Sequence, residues 1–275
     1  MNPSRPLHAA WVVTALGLVT VSPLAIAQDS ASTTQAPAAD PNTLQAAVGV
    51  AAVNAPRYAG SSRDRVQFLP VASVAKGPWF ADTLRGIGAQ YQTDGGFSIS
   101  EAFHYDFGRV DRDSNLRPGS KSLRGMGDVP GSIVSRTIVA QQLNAMLSMS
   151  AEAEYSLKDG TRRARYRTGV QLALIQREAD MLTLNVDVHG GNAAFNRAYF
   201  GVSSAQSART RFATYRAAGG LYAYSSSLNW THVFSPRWSS NVVVSGVRYS
   251  GQVDDSPIVA RRTALTSAVA MNYSF

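Results

Sequence analysis

The sequence predicts an all-β protein: a transmembrane antiparallel β-barrel of about twelve strands, with ten as the alternative count. The chain of 275 residues begins with a secretory signal and then alternates apolar and polar residues with a period of two. No later stretch reaches the roughly 18 to 20 apolar residues that a membrane-spanning helix needs. The composition is 45% hydrophobic and 16% charged, with 11 tyrosines, 10 phenylalanines and no cysteine. The lack of cysteine excludes a disulfide scaffold, a thiol nucleophile and a thiolate metal site.

The first segment of the chain has the three-part pattern of a secretory signal peptide. Arg5 precedes the apolar run 9–19, Pro23 follows that run, and Ala25-Ile26-Ala27 forms a small-residue cleavage site. We therefore expect residues 1–27 to be removed and the mature protein to work outside the cytoplasm. This location argues against nucleic acid as a partner, which the net charge of +8 would otherwise suggest.

The mature chain divides into a short leader and one barrel domain. Residues 28–43 are rich in Ala, Ser, Thr, Gln, Asp and Pro and are predicted to form a flexible leader. From residue 44 to 275 the dominant period is two, which predicts a single barrel domain. The clearest strand is 222–234, where large apolar side chains at even positions oppose small or polar ones. Its even positions, from Tyr222 through Leu228, are expected to face lipid and its odd positions the lumen.

The number of strands follows from a count of the alternating runs and from closure of the barrel. A closed antiparallel barrel whose two termini lie on the same side needs an even number of strands. Twelve strands are therefore predicted, and one run in the first fifty mature residues is expected to be missed, split or wrongly included. Eleven candidate runs start near residues 44, 64, 79, 97, 129, 143, 161, 181, 216, 238 and 262.

The links between runs alternate in length. Short periplasmic turns and long outer loops are the asymmetry expected of an outer-membrane barrel. Within the second long loop, residues 203–211 are predicted to form one or two helical turns that fold inward as a plug. The short links are 75–77, 141–143, 177–180 and 234–237, and the three long loops are 107–128, 190–215 and 251–262.

The last strand carries an aromatic pattern at its end. Counting back in twos from Phe275 gives Tyr273, Met271 and Val269, so one face of this strand is apolar. Tyr273 and Phe275 resemble the C-terminal assembly signal of outer-membrane barrels, which implies the barrel assembly machinery as a partner. Together with the signal peptide, this pattern predicts the outer membrane of a Gram-negative bacterium. Membrane lipid and lipopolysaccharide are then the expected surroundings.

Several short strings in a fixed order resemble the MipA/OmpV family of MltA-interacting outer-membrane proteins. The resemblance spans residues 45–275 and is most specific in Phe200-Gly201-Val202 with Ala205-Gln206 and in Asp255-Ser256-Pro257-Ile258-Val259. It implies a barrel that brings a lytic transglycosylase, a murein hydrolase, close to a bifunctional murein synthase. Other members are porin-like proteins of the osmotic response or adhesins. The strings are 56–61, 69–70, 85–88, 105–109, 123–128, 199–202, 205–206 and 255–259.

The resemblance and the absence of a catalytic constellation lead to one main hypothesis and two alternatives. The main hypothesis is a non-enzymatic scaffold for peptidoglycan-remodelling enzymes. The alternatives are a narrow porin-like channel for small solutes and an outer-membrane adhesin. No motif in the sequence distinguishes these three roles.

A row of charged residues is predicted to face the lumen. Arg163, Arg165 and Arg167 alternate along one strand, and Glu152 and Glu154 alternate along the strand before it. The row could select anionic solutes in a pore. It could also be a cross-strand charge ladder that stabilises a packed interior, and this second interpretation is favoured.

Three histidines with acidic residues nearby are candidates for catalytic groups. Asp187 and His189 share one face of a strand, and His104 and Asp106 have the same spacing. Hydrolysis would need a matching set of groups on the opposite wall, which the sequence does not place there. His232 lies on an apolar face at the edge of an aromatic belt, where amphipathic rings commonly sit. The sequence therefore predicts no catalytic residue, no cofactor and no metal site.

The first long loop carries charges of both signs. Such a loop is usually solvated. In an outer loop, its basic residues could also contact the phosphates of lipopolysaccharide through salt-sensitive electrostatic attraction. The charged residues are Arg109, Asp111, Arg112, Asp113, Arg117, Lys121, Arg124 and Asp128.

Overall fold

The computed structural model describes residues 43–158 and 163–275, so the predicted signal peptide and nearly all of the predicted leader lie outside the described residues. The described residues form twelve β-strands that close into an antiparallel barrel. The strands are β1 (Gln45–Pro56), β2 (Asp64–Lys76), β3 (Trp79–Asp82), β4 (Gly86–Gln92), β5 (Phe97–Asp106), β6 (Ser132–Gln142), β7 (Leu147–Ser156), β8 (Ala164–Gln176), β9 (Asp180–Gly191), β10 (Gly220–Val233), β11 (Trp238–Tyr249) and β12 (Thr263–Ser274).

Each strand pairs with the next, and β1 pairs with β12, where Val48 lies opposite Tyr273. The predicted count of twelve is confirmed. The predicted place of the missing strand is wrong, because the run that starts at residue 79 splits into β3 and β4. Asp82 makes this turn possible: its carboxylate accepts the backbone N–H groups of Leu84 at 2.6 Å and Arg85 at 2.9 Å.

The barrel wall is shorter along the strand direction at the β3–β4 hairpin than at the other strands. β3 has four residues and pairs with the C-terminal part of β2, from Ser73 to Lys76. Among the described residues, the stretch 64–71 of β2 therefore has a strand partner on one side only, which is β1.

The two ends of the barrel differ. Short connections lie at one end, called the turn end, where β1 begins and β12 ends. The other end, called the loop end, carries the long connections. The three long loops are 107–131, 192–219 and 250–262, and a shorter loop, 57–63, joins β1 to β2.

The alternation of side chains gives the barrel an apolar outer face. Large hydrophobic side chains such as Val50, Phe68 and Leu228 are exposed on this face, as expected for strands in contact with lipid. Tyr222 departs from the prediction and points inward, with only 3% of its surface exposed. The cause is a β-bulge between Leu221 and Ala223, which shifts the register and turns the preceding side chain to the other face.

Helical segments occur only in the loops among the described residues: a 3-10 turn (Lys121–Leu123), α1 (Ala193–Phe200) and α2 (Ser204–Ser207). None of them is both long and apolar enough to cross a membrane. The helix predicted within 203–211 is present as α2, but it has no buried residue and does not plug the barrel. The buried helix is α1, because it carries Phe195, Tyr199 and Phe200, whereas α2 has no large apolar side chain.

Candidate functional site in the lumen

The loop end of the lumen is filled by an aromatic core. Asn192 begins α1 by accepting the Phe195 backbone N–H at 2.8 Å, and the helix then places its aromatic side chains inside the barrel. The ring centroids of Phe195 and Phe200 lie 5.5 and 5.7 Å from that of Tyr222. Phe200 also contacts Tyr249 on β11, at 6.0 Å. Because of the bulge, Tyr222 is part of this core and does not face lipid.

The loops pack on one another above this core. A second buried cluster has one or two members from each of the loops 57–63, 107–131, 192–219 and 250–262. Its members are Tyr58, Leu123, Met126, Val202, Phe212 and Ile258. The Tyr58 hydroxyl donates to the Ile258 carbonyl at 3.1 Å. The two clusters together are called the lid.

A buried arginine ties the lid to the barrel. Arg109 Nη1 donates to the Tyr199 carbonyl at 2.6 Å, and Nη2 donates to the Ala198 carbonyl at 3.5 Å, so the guanidinium caps the C-terminal end of α1. The Tyr199 hydroxyl donates to Asp106 Oδ2 on β5 at 2.9 Å. Burial lowers the pKa of Arg109, because desolvation disfavours the charged form.

Four of the five residues in the predicted charge row meet below the lid. Arg165 Nε donates to Glu154 Oε2 at 2.5 Å, and Arg167 Nη2 donates to Glu152 Oε2 at 2.8 Å. Both pairs are in direct register between β7 and β8. Arg167 also lies 3.8 Å from Asp187 Oδ1 on β9. Charges on three neighbouring strands thus form a girdle across one wall of the lumen.

Arg163 lies apart from this girdle. Its Nη2 donates to the Pro130 carbonyl at 2.8 Å, and its guanidinium lies 5.8 Å from the centre of the Tyr199 ring. It precedes β8 and contacts the loop 107–131 and α1. Its described contacts are therefore with the lid.

The histidines singled out by the sequence have separate partners. His104 Nε2 lies 3.9 Å from Glu154 Oε1, and His189 Nε2 lies 2.8 Å from Ser225 Oγ. Asp106 accepts from Tyr199, and Asp187 contacts Arg167. In these contacts, the histidine and the aspartate of each predicted His/Asp pair have different partners.

His232 lies on the outer face at the turn end. Its Nδ1 is 2.8 Å from Asp180 Oδ1, and the Trp230 indole N–H donates to the same oxygen at 2.9 Å. The ring of Phe234 contacts His232 with centroids 4.6 Å apart. The sequence did not single out Asp180, which lies at the start of β9 and is in direct register with His232.

A cavity with both apolar and polar lining, called the vestibule, lies below the girdle. It has a volume of about 240 Å³ and opens at the turn end, where Gln142, Asn144 and Gln176 line it. Its inner end is lined by Arg85, Arg136, Arg167 and Asp187. The sequence prediction missed Arg85 and Arg136. The inward position of Arg136 in the alternation of β6 was the available signal for it.

The lumen is asymmetric around its axis. On the side of β1, β2, β11 and β12, it is filled by small apolar side chains, together with Leu84 from the β3–β4 turn. The vestibule is confined to the opposite wall, from β4 to β9. Within the described residues, no group of three or more His, Asp or Glu side chains is placed to hold a metal ion. The cluster of apolar residues is Ala51, Val53, Ala55, Val71, Leu84, Val243, Ala268 and Ala270.

The chain is similar to several known proteins. A family model described as MltA-interacting protein MipA matches residues 48–275. No curated protein matches the sequence. Among solved structures, the chain is similar to a bacterial polysaccharide outer membrane secretin, with 12% identity, a TM-score of 0.41, and coverage of 86% of this chain and 100% of that chain. It is also similar to the NanC porin (7% identity, TM-score 0.43, 82% of this chain and 98% of that chain) and to an outer membrane channel from Pseudomonas putida F1 (11% identity, TM-score 0.43, 84% and 94%).

Proposed function

The chain belongs to the MipA family of MltA-interacting proteins, and from this membership we propose that it is an outer-membrane barrel that holds peptidoglycan-remodelling enzymes together without catalysing a reaction itself. The partners are a lytic transglycosylase and a murein synthase. The observation that carries the proposal is the lid. A lumen filled at one end by packed aromatic side chains favours a role for the surface of the barrel over conduction through it.

The orientation of the barrel follows from its two ends. Short turns face the periplasm in bacterial outer-membrane barrels, and long loops face outward. The turn end then presents its connections to periplasmic enzymes. The turn between β6 and β7 exposes two apolar side chains there, Leu143 at 54% and Met146 at 53%. Exposed apolar side chains close together are candidates for a protein contact.

Affinity capture tests the scaffold role. The mature protein in detergent micelles is immobilised and offered a periplasmic extract, and captured murein hydrolases and synthases are identified by mass spectrometry. The double variant Leu143→Ser/Met146→Ser is expected to capture less of both enzymes. The control is Leu116→Ser, which removes an apolar side chain that is 80% exposed at the loop end.

Three results would count against the scaffold. The first is capture of neither class of enzyme, and the second is capture of one class alone. The third is an equal loss of capture in the Leu116→Ser control, which would mean that the extract binds apolar surface without preference for the turn end.

A channel for small solutes is the second candidate, and the vestibule favours it. The cavity opens to one side and ends at charged residues. Conductance across planar bilayers distinguishes the two functions. We expect a silent barrel, because the lid fills the loop end. Steady conductance that changes on replacing Arg165 or Arg167 would support the channel instead.

A further inference from the structure

The vestibule has two chemically different parts. Its inner end carries three guanidinium groups, from Arg85, Arg136 and Arg167, and one carboxylate, from Asp187. The rest of its polar lining is uncharged and consists of amides and hydroxyls. These include Gln90, Ser100, Ser150, Gln171, Thr183 and Asn185.

All three arginines are held in place by neighbouring groups, and the charge of Arg167 is already paired with Glu152 and Asp187 in the girdle. The Arg85 guanidinium stacks over the Phe80 ring at 3.8 Å and donates to Gln90 Oε1 at 3.0 Å. Arg136 Nη2 donates to the backbone carbonyl of Arg85 at 3.2 Å. A planar guanidinium held in one orientation suits recognition of a carboxylate, which can accept two parallel hydrogen bonds.

Polar atoms without partners lie along the β9 wall of the vestibule. Thr183, Asn185 and Asn229 are almost fully buried, and Thr183 lies opposite Asn229 in the register of β9 and β10. Thr183 Oγ1, Asn185 Nδ2 and both side-chain polar atoms of Asn229 have no hydrogen bond to another described residue. Buried polar groups are normally satisfied by protein, water or ligand. Thr183 and Asn185 are among the residues that line the cavity, so an occupant with amide or hydroxyl groups would lie beside this polar wall.

We propose that the vestibule is a binding site for a small molecule that joins a carboxylate to amide or hydroxyl groups and enters from the periplasm. The carboxylate lies at the inner end, against Arg85 and Arg136, and the neutral polar groups lie along Gln171, Thr183 and Asn185. The inference rests on the orientation given under the proposed function and not on the scaffold role. Because the lid fills the lumen beyond the girdle, the ligand binds and leaves by the same opening.

Two sources could supply this chemistry: an acidic amino sugar and the free carboxy-terminus of a short peptide. The mature protein in detergent micelles is titrated by calorimetry with N-acetylmuramic acid and, separately, with N-acetyl-dialanine. Each acid has a neutral match that keeps the amide groups, N-acetylglucosamine for the first and N-acetyl-dialanine amide for the second. At least one acid is expected to bind more tightly than its neutral match, and the tighter acid identifies the source. Equal binding of acid and neutral match, or no binding by either acid, would overturn the proposal.

Two variants test whether the acid binds inside the vestibule. Arg136→Gln removes a charge at the inner end, and Ala140→Phe fills the cavity without changing charge, since Ala140 is a small side chain in its lining. Each is expected to weaken binding of the acid by about tenfold or more, because a charge-assisted hydrogen bond or the space for the ligand is lost. The control is Arg124→Gln, the same charge change on an exposed loop residue, which is expected to bind normally.

Failure of the ligand-binding proposal can be distinguished from failure of the proposed scaffold function. Ala140 lies in β6, outside the turn between β6 and β7, so capture of murein enzymes is expected to remain when ligand binding is lost. Normal binding by folded Ala140→Phe, judged by an unchanged strand signal in circular dichroism, would overturn the vestibule as the site, whatever the capture result.

Discussion

The Tyr199 hydroxyl lies 2.9 Å from Asp106 Oδ2 and links helix α1 to the end of strand β5. Both side chains are buried, so the hydrogen bond is made to a carboxylate away from water. The same carboxylate accepts the Gly108 backbone N–H at 2.8 Å through Oδ1. Asp106 therefore anchors the lid to the barrel wall from two directions.

Replacing Tyr199 by Phe is expected to loosen the lid. The change removes one hydrogen-bond donor from a buried carboxylate, which costs about 1 to 3 kcal/mol. Limited proteolysis of the mature protein in micelles should show faster cleavage within residues 192–219. The control is Tyr215→Phe, since the Tyr215 hydroxyl donates to the Gln252 carbonyl at 3.1 Å in a more exposed setting. Equal cleavage of the two variants would show that the link to Asp106 does not hold the lid.

Replacing Glu154 by Gln is expected to destabilise the barrel. The change leaves the Arg165 charge buried without the carboxylate that it contacts at 2.5 Å, and breaking a buried pair in this way costs about 3 to 5 kcal/mol. The second single variant is Arg165→Met, and the double variant Glu154→Gln/Arg165→Met is expected to recover part of the loss. Urea unfolding of all four proteins in micelles gives the coupling energy. Additive effects would contradict a direct interaction between the two residues.

Acid is expected to weaken the loop 107–131. Asp113 accepts the Lys121 backbone N–H at 3.0 Å and lies 3.5 and 3.7 Å from guanidinium nitrogens of Arg57 and Arg63. This hydrogen bond, followed by the nearby positive charges, lowers the pKa of Asp113. A lowered folded-state pKa means that the contribution to stability is present above the unfolded pKa of about 3.9 and is lost as the pH falls through the folded value.

Pepsin digestion between pH 5 and pH 2 checks this dependence. At the upper end of the range, the Asp113→Asn variant should be cleaved in this loop faster than the parent protein. The difference should shrink toward the lower end, as the parent carboxylate takes up its proton. A difference that stays constant across the range would mean that the charge of Asp113 plays no part.

Phe275→Ala is expected to reduce assembly in cells with little effect on the folded barrel. The Phe275 ring is exposed and contacts only the edge of Tyr273 among the described aromatic rings, at 5.2 Å. The Phe275 backbone N–H, which the substitution keeps, donates to the Ala46 carbonyl at 3.0 Å. Heat-modifiable mobility on gels measures the assembled fraction in membranes, and urea unfolding measures the stability of refolded protein. Loss of stability without loss of assembly would assign this residue to packing instead of recognition.

The two faces of the strands and the number of strands could be predicted from the sequence, because period-two alternation and closure are properties of the strands themselves. Tyr222 was assigned to the wrong face, because a bulge at one position reverses the face without leaving a pattern in the residues. The four-residue strand β3 was also missed, since it is too short to show a period. Its turn depends on the side chain of Asp82, which the alternation does not reveal.

The interior was harder to predict than the wall, because it depends on contacts between distant loops. Glu152 lies opposite Arg167, and Glu154 lies opposite Arg165, on the neighbouring strands β7 and β8, as the alternation in adjacent runs indicates. Arg163 has the same spacing but lies against Pro130 in a different loop. Helix α1 is buried and α2 is not, because α1 has aromatic side chains that pack against Tyr249. Tyr249 is about 50 positions away from α1 in the sequence.

The low wall at β3 and β4 has a consequence for how the protein sits in its bilayer. The apolar band is shorter at β3 and β4 than at the longer strands. Beside residues 64–71 of β2, no strand lies on the side where β3 would continue. The hydrophobic thickness presented to lipid therefore varies around the circumference. A membrane accommodates such a mismatch by tilting the protein or thinning locally, at a modest cost. We expect the barrel axis to lean away from the membrane normal, with lipid headgroups drawn toward the gap above the short hairpin.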